Sequence, residues 1–129
     1  FIMVGGHNKE GQQIVPKLTV TARKDRDGEP VFDSKGPATE FQGGRVNWYG
    51  RDPDWKDVLG FRGKDDIESL DGQWTRLEVI CDGSKITNIV NGKVVNAATR
   101  STLTEGKIIF QSEGAEIYFR RIDLVPLKK

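Results

Sequence analysis

The chain is poor in the residues that most often signal chemistry. Its 129 residues include one cysteine, one histidine and one methionine. A lone cysteine forbids an internal disulfide, and with a single imidazole no Cys/His zinc spacing can be written. Charge of one sign is also lacking. Twenty basic side chains face 19 acidic ones, a net of +1, which leaves no field to gather nucleic acid or an anionic membrane. Apolar runs are only a few residues long, far short of the roughly 20 needed to span a bilayer. Helix-forming runs are scarce, and these residues include no charged-then-apolar signal segment. The chain opens on Phe1, and FIMVGG reads as the middle of a strand, which suggests a fragment or a processed chain.

What is present is turn chemistry and alternation. The 15 glycines punctuate short apolar-polar runs, and the length is about one domain's worth. Lys17–Arg23 sets Leu18, Val20 and Ala22 against Thr19, Thr21 and Arg23, the pattern of a half-buried strand. Asp25–Gly44 is rich in Asp, Gly and Pro and reads as a long irregular excursion. Arg45–Tyr49 reads as a short strand, with Val46 and Trp48 on one face and Arg45, Asn47 and Tyr49 on the other. Gly50–Asp71 is charged and mostly loop, with a brief strand at Val58–Arg62.

From Trp74 to Leu127 the pattern predicts five consecutive strands. Thr75–Cys81 turns at Asp82-Gly83 into Lys85–Val90, and Asn91-Gly92 turns that strand into Lys93–Ala97. Asn-Gly is a strong hairpin signal because both central positions of its turn need positive φ. Gly106–Ser112 and Ala115–Leu124 follow, joined at Glu113-Gly114, with a change of parity that suggests a β-bulge near Arg120-Arg121. Cys81, alternating with Leu77 and Val79, is expected to be a buried apolar thiol. Sequential strands with no helix between them indicate an all-β, antiparallel sandwich.

Two groups of residues are chemically suggestive. His7, after Gly5-Gly6 at a strand end, is the only ready general base near neutral pH; read without context it is an exposed loop histidine. Trp48, Tyr49 and Trp55 sit among mixed charges in loops, an arrangement suited to stacking a pyranose and bonding its hydroxyls. Trp55, between Asp54 and Lys56, is the better exposed platform, whereas Trp48 and Phe61 equally suit closing the core beneath the loops. Scattered aspartates leave room for a structural or catalytic divalent cation bound through oxygen, although no loop has the regular acidic spacing to locate one.

The order of residues in the last third carries a resemblance. Gly72, Trp74 and Glu78, then Ile86, Thr87, Val90, Asn91, Gly92 and Val94, then Gly106, Ile108, Gln111, Ser112, Glu113, Gly114, Ile117, Phe119, Arg120, Ile122, Pro126 and Leu127 form a long ordered string. It resembles the DUF1080 family, the 3-keto-disaccharide hydrolase domain. The resemblance implies a jelly-roll β-sandwich of the concanavalin A-like type. It further implies secreted or periplasmic bacterial proteins that act on saccharides by general acid–base chemistry. In such substrates a ketone at C3 acidifies the C2 proton, so a base removes it and the anomeric substituent leaves.

With strand parity, the resemblance makes His7, Glu78 and Glu113 the catalytic candidates and Arg45, Asn47, Tyr49, Trp55, Gln111 and Arg120 the substrate-binding ones. Polar residues alternating on a solvent face are also expected with no function at all. Two departures matter. Members usually carry an N-terminal third that this sequence does not include, so those strands are expected either from a second polypeptide or from residues outside this chain. Many members also place Glu-x-Gln where this chain has Leu18-Thr19-Val20-Thr21-Ala22. The first departure suits a structural subunit completed by another chain, and the second a non-catalytic, lectin-like binding module.

Overall fold

The computed structural model describes residues 2–3, 5–112 and 116–128, and every helix or strand element among them is a strand. The fold is organised around β4 (Lys17–Lys24). Its alternation buries Leu18, Val20 and Ala22 and leaves Lys17, Thr19 and Thr21 half-buried, as a strand with one face on a core requires. β4 pairs antiparallel with β6 (Ala38–Gln42) from Lys17↔Gln42 to Thr21↔Ala38. It pairs with β10 (Lys93–Thr99) at Val20↔Ala98 and Thr19↔Thr99, and its end pairs with β5 (Pro30–Phe32) at Ala22↔Phe32.

The sheet continues from β10 through β9 (Lys85–Val90) to β8 (Leu77–Asp82) at its margin, giving six strands in all. Two small ladders stand apart from it. β1 (Ile2–Met3) pairs β7 (Gly44–Arg45), and β2 (Gly6–His7) pairs β3 (Gln13–Ile14). All of these ladders are antiparallel; Val31 and Asn47 add an isolated parallel bridge. The class is therefore all-β and antiparallel, consistent with a jelly-roll sandwich.

The core is a cluster of Leu18, Val20, Ala22, Phe32, Val46 and Ala98, with Phe41, Tyr49, Ile86 and Ala97 packed against it. A register shift between Val94 and Asn96 in the β9–β10 ladder explains why the neighbours Val95 and Asn96 are both fully buried. Asn96 Nδ2 donates to the Val46 carbonyl at 3.2 Å, tying the segment after β7 to β10.

The Asn91-Gly92 turn forms as its sequence predicts, whereas the first turn falls one residue later than expected, at Gly83-Ser84, because Asp82 pairs with Lys85. Asn91 and Gly92 have φ of 48° and 82°, and Gly83 has φ of 55°. Other expectations are corrected. Asp25–Gly44 is not irregular, because its Asp/Gly clusters make tight turns separating β5 and β6, which take up ladder positions beside β4. Gly28 donates to the Asp25 carbonyl at 3.0 Å and Gly36 to the Asp33 carbonyl at 2.9 Å. Of the strand expected at Arg45–Tyr49, only Arg45 lies in a ladder, although Val46 is buried as parity predicted. Val58–Arg62 is turn, with Phe61 donating to the Val58 carbonyl at 3.1 Å.

The largest correction concerns the signature strands. Three of the five predicted after Trp74 form. Among the described residues, Gly106–Ser112 and 116–124 have no ladder, and Ile108, Phe110, Phe119 and Ile122 are exposed. Alternation specifies which face a strand would bury, but a strand also needs a neighbour whose N–H and C=O groups it can meet. Here the two arms touch through Phe110 and Phe119, ring centroids 5.1 Å apart. The Glu113-Gly114 turn lies outside the described residues, and the bulge expected at Arg120-Arg121 has no ladder to interrupt.

Cys81 is likewise exposed rather than buried. β8 pairs with β9 alone among the described strands, and Leu77 and Val79 on the same parity are also uncovered. A thiol reagent added to the native protein is expected to label one cysteine at the rate of a free peptide thiol; slow labelling that needs denaturant would contradict this exposure. Val20, with 0% exposure, is the opposite case. Val20→Ala should lower unfolding free energy by about 2 kcal/mol in a denaturant titration.

Candidate functional site: a loop pocket beside Trp55

The loops between β7 and β8 are held by charge and by glycine. Gly50 has φ of 84°, and a Cβ there would lie 2.5 Å from the Asp65 carbonyl oxygen, so only glycine lets these two stretches approach. Arg51 pairs with Asp25 and lies 3.7 Å from Asp27, while Arg26 reaches Asp54 at 2.8 Å. The β4–β5 turn and the start of the 50–71 loop are thereby locked together. Burial of the Asp25 carboxyl works to raise its pKa. The Glu29 and Asp27 amides that donate to it, together with the Arg51 guanidinium, outweigh that and hold it below the usual carboxylate value.

Beyond this lock the loop encloses a concave pocket of about 380 Å3. One wall runs from Trp55 to Arg62 and the other includes Asp66, Glu68, Ser69 and Asp71. Trp55 is 64% exposed, so its ring is available to a ligand. Arg62 does not offer its guanidinium freely. It donates to the Glu68 carbonyl at 2.6 Å and the Ser69 carbonyl at 3.0 Å, and lies 3.6 Å from Asp66. Asp66 Oδ1 in turn accepts the Glu68 amide at 3.0 Å. Glu68 remains in contact with solvent, but crowding of its carboxyl by surrounding protein, with the Asp66 charge adding to it, pushes its pKa up against the opposing pull of Arg62.

A second concavity of about 490 Å3 lies along β4, β5 and β6. Arg23, Lys24, Pro30, Pro37, Thr39 and Phe41 line it, with no carboxyl or imidazole among them to move a proton. The loop pocket is therefore the better candidate for acid–base work, despite its smaller volume.

The residues singled out from the sequence are dispersed. His7 lies exposed in the β2–β3 hairpin, opposite Gln13. Glu78 is in β8, half-buried, 3.1 Å from the Arg76 guanidinium. Arg45, in β7, lies 3.8 Å from Glu29, and Asn47 Nδ2 donates to the Pro30 carbonyl at 3.1 Å, so both brace β5. Tyr49 carries the Lys93 ammonium 3.5 Å from its ring centre, a cation–π contact within the fold. Gln111 and Arg120 are exposed on the unpaired arms, and Glu113 lies outside the described residues. Of the whole set, Trp55 alone lines the loop pocket. Among the described residues, no group of three or more His, Cys, Asp or Glu gathers as metal ligands. No helix there is long and apolar enough to cross a membrane.

The stretch that builds the acidic wall, the β8–β10 meander and the two unpaired arms can now be compared with known families. Residues 62–125 match the family model described as 3-keto-alpha-glucoside-1,2-lyase-like domain. That part of the chain is similar to this family. The lyase-like segment takes in Arg62, Asp66, Glu68 and Asp71 from the pocket, whereas Trp55 and His7 precede it. No curated protein and no solved structure matches the chain.

The sequence marks this region only as aromatics among mixed charges and does not single out Glu68. Glu68 has no periodicity to mark it, and its surroundings are made by a turn that Asp66 and Arg62 close.

The Asp25 lock has a pH signature. A carboxyl whose folded pKa is depressed adds stability that is complete above its ordinary value, about 4, and is lost as pH falls through the folded value. Thermal melts of the wild type should therefore fall more steeply below about pH 4 than those of Asp25→Asn. Parallel curves would remove Asp25 from the account.

Proposed function

We propose that the chain acts on saccharides as a glycoside lyase-like domain, with the sugar held in the loop pocket against Trp55. The observation that carries this reading is the match of residues 62–125 to a 3-keto-alpha-glucoside-1,2-lyase-like domain, which falls on the pocket's carboxylate wall. A pocket of about 380 Å3 is within the range that takes small ligands. An exposed indole beside carboxylates offers a flat apolar face and hydroxyl acceptors, which a pyranose requires.

The reaction that fits is elimination from a 3-keto-glycoside. A base removes the C2 proton, which the neighbouring ketone acidifies, and the electron pair is held as the enolate. It then forms the C1–C2 double bond as the C1–O bond breaks, and an acid returns a proton to the leaving oxygen. The products are an unsaturated keto-sugar and an alcohol. Of the catalytic candidates read from the sequence, His7 and Glu78 do not line this pocket, whose own carboxylates Asp57, Asp66 and Asp71 are the base candidates for a sugar held there. Glu113, Gln111 and Arg120 stay candidate site residues. A secreted or periplasmic setting, and a second polypeptide covering the exposed apolar face of β8, go with this reading. So does the jelly-roll architecture, on whose margins loop sites of this kind are common.

A non-catalytic saccharide-binding module is the second reading. It is favoured by the separation of His7 and Glu78 into different ladders. Calorimetry and product analysis on one panel of glycosides and 3-keto-glycosides distinguish the two. We expect binding with release of the alcohol; binding without product would leave the module, and neither would sink both. In the same titration Trp55→Ala should weaken affinity roughly tenfold, equivalent to about 1.4 kcal/mol. An unchanged Kd would remove Trp55 from the binding surface.

A further inference from the structure

The Asn91 side chain does more than its turn requires. In a two-residue hairpin turn, asparagine is favoured because it tolerates positive φ, and Asn91 has φ of 48°. That need ends at the backbone. The carboxamide, however, is fully engaged with the loop above it. Nδ2 donates to the Ile67 carbonyl at 2.8 Å and to Ser69 Oγ at 3.2 Å. Oδ1 accepts the Arg76 amide at 3.0 Å, and the Asn91 amide donates to the Arg76 carbonyl at 2.9 Å. The two residues Nδ2 holds are those on either side of Glu68. Ser69 is fixed further, its Oγ donating to the Trp74 carbonyl and its amide to Thr75 Oγ1, both at 3.0 Å. On the other side, Arg62 grips the Glu68 and Ser69 carbonyls.

A single glutamate is thus clamped at its own backbone and at both neighbours, and it is one of the residues lining the pocket that Trp55 borders. We propose that Glu68 is the proton-donating carboxyl of the loop pocket and that Asn91 is the positioning residue that sets it there. Glu68, protonated, gives its proton to the leaving oxygen as the C1–O bond breaks and is left as the carboxylate; a proton from water restores it. The charged groups sharing the pocket are Asp57, Asp66, Asp71, Lys56 and Arg62. Three of them are acidic, and Arg62 has its hydrogen bonds committed to backbone. The crowding that raises the Glu68 pKa moves it in the direction an acid needs.

The catalytic half of this inference rests on the saccharide reading above; the positioning half does not. Two measurements on the full chain separate them. The first is a carbon-detected NMR titration of Glu68 in wild type, Asn91→Asp and Asn91→Gly. Glycine keeps the turn's positive φ while losing the carboxamide, and aspartate keeps the acceptor while losing both donors. Both variants should shift the Glu68 midpoint while leaving that of Asp25 in place. A Glu68 midpoint unmoved in both, with the fold intact, overturns the positioning role.

The second is turnover of a 3-keto-glycoside. Glu68→Gln should lower kcat by about 10²-fold or more, leave KM within a factor of a few, and flatten the limb of the pH profile set by the acid. Asn91→Gly should lower kcat less and shift that limb. Full activity in Glu68→Gln overturns the catalytic role while the saccharide reading stands. A wild type inert on every 3-keto-glycoside tested, and binding none, overturns that reading and the catalytic role with it.

Discussion

The fold depends on one strand meeting three partners. β4 buries Leu18, Val20 and Ala22 on one face while its backbone pairs with β5, β6 and β10. Those pairings bring Phe32 and Ala98 onto the buried cluster, and Asn96 of β10 carries Val46 with it through the carbonyl it holds. Burying these apolar side chains is the favourable term, and the ladders satisfy the polar backbone that is buried with them. The strands that lack such a partner show the converse. Residues 106–112 and 116–124 are as apolar as β4, yet they form no ladder among the described residues.

From that frame the loops are reached by short polar ties rather than by core. Arg51 and Arg26 join the β4–β5 turn to the 50–54 stretch, Gly50 lets Asp65 lie against the backbone, and Asn91 joins the β9–β10 turn to residues 67 and 69. The pocket is therefore a product of tethering. Its walls are adjacent because anchored turns hold them so, and Glu68 is placed by contacts to its backbone and neighbours rather than by its own side chain.

What could be read from the sequence followed from how local the cause was. Asn91-Gly92 was legible because positive φ is a property of the turn residues themselves; at the first hairpin Gly83 marked the turn, but the pairing of Asp82 with Lys85 set it one residue later. The β4 alternation was legible because one buried face needs a period of two. The ordered string from Gly72 to Leu127 located a family, since matched to residues 62–125. Strand membership was less legible wherever it depended on a partner. β5 and β6 were hidden among turn residues, and Cys81 was assigned to a core that no described residue completes over β8. Trp55 was found through its charged flanks, whereas Glu68 was not, because its raised pKa comes from crowding by a loop whose course the sequence does not reveal.

The uncovered margin at β8 bears on how this molecule behaves in quantity. Leu77, Val79 and Ile80 are all substantially exposed, on a strand paired on one side only among the described residues. A half-satisfied strand with apolar side chains on both faces is a template for another strand, so its chemical potential falls whenever one is at hand. A second copy of the chain offers such a strand, so pairing at this margin is expected to grow with concentration. Dilution would release such a partner from the β8 margin by mass action, whereas the β4 core closes within one chain.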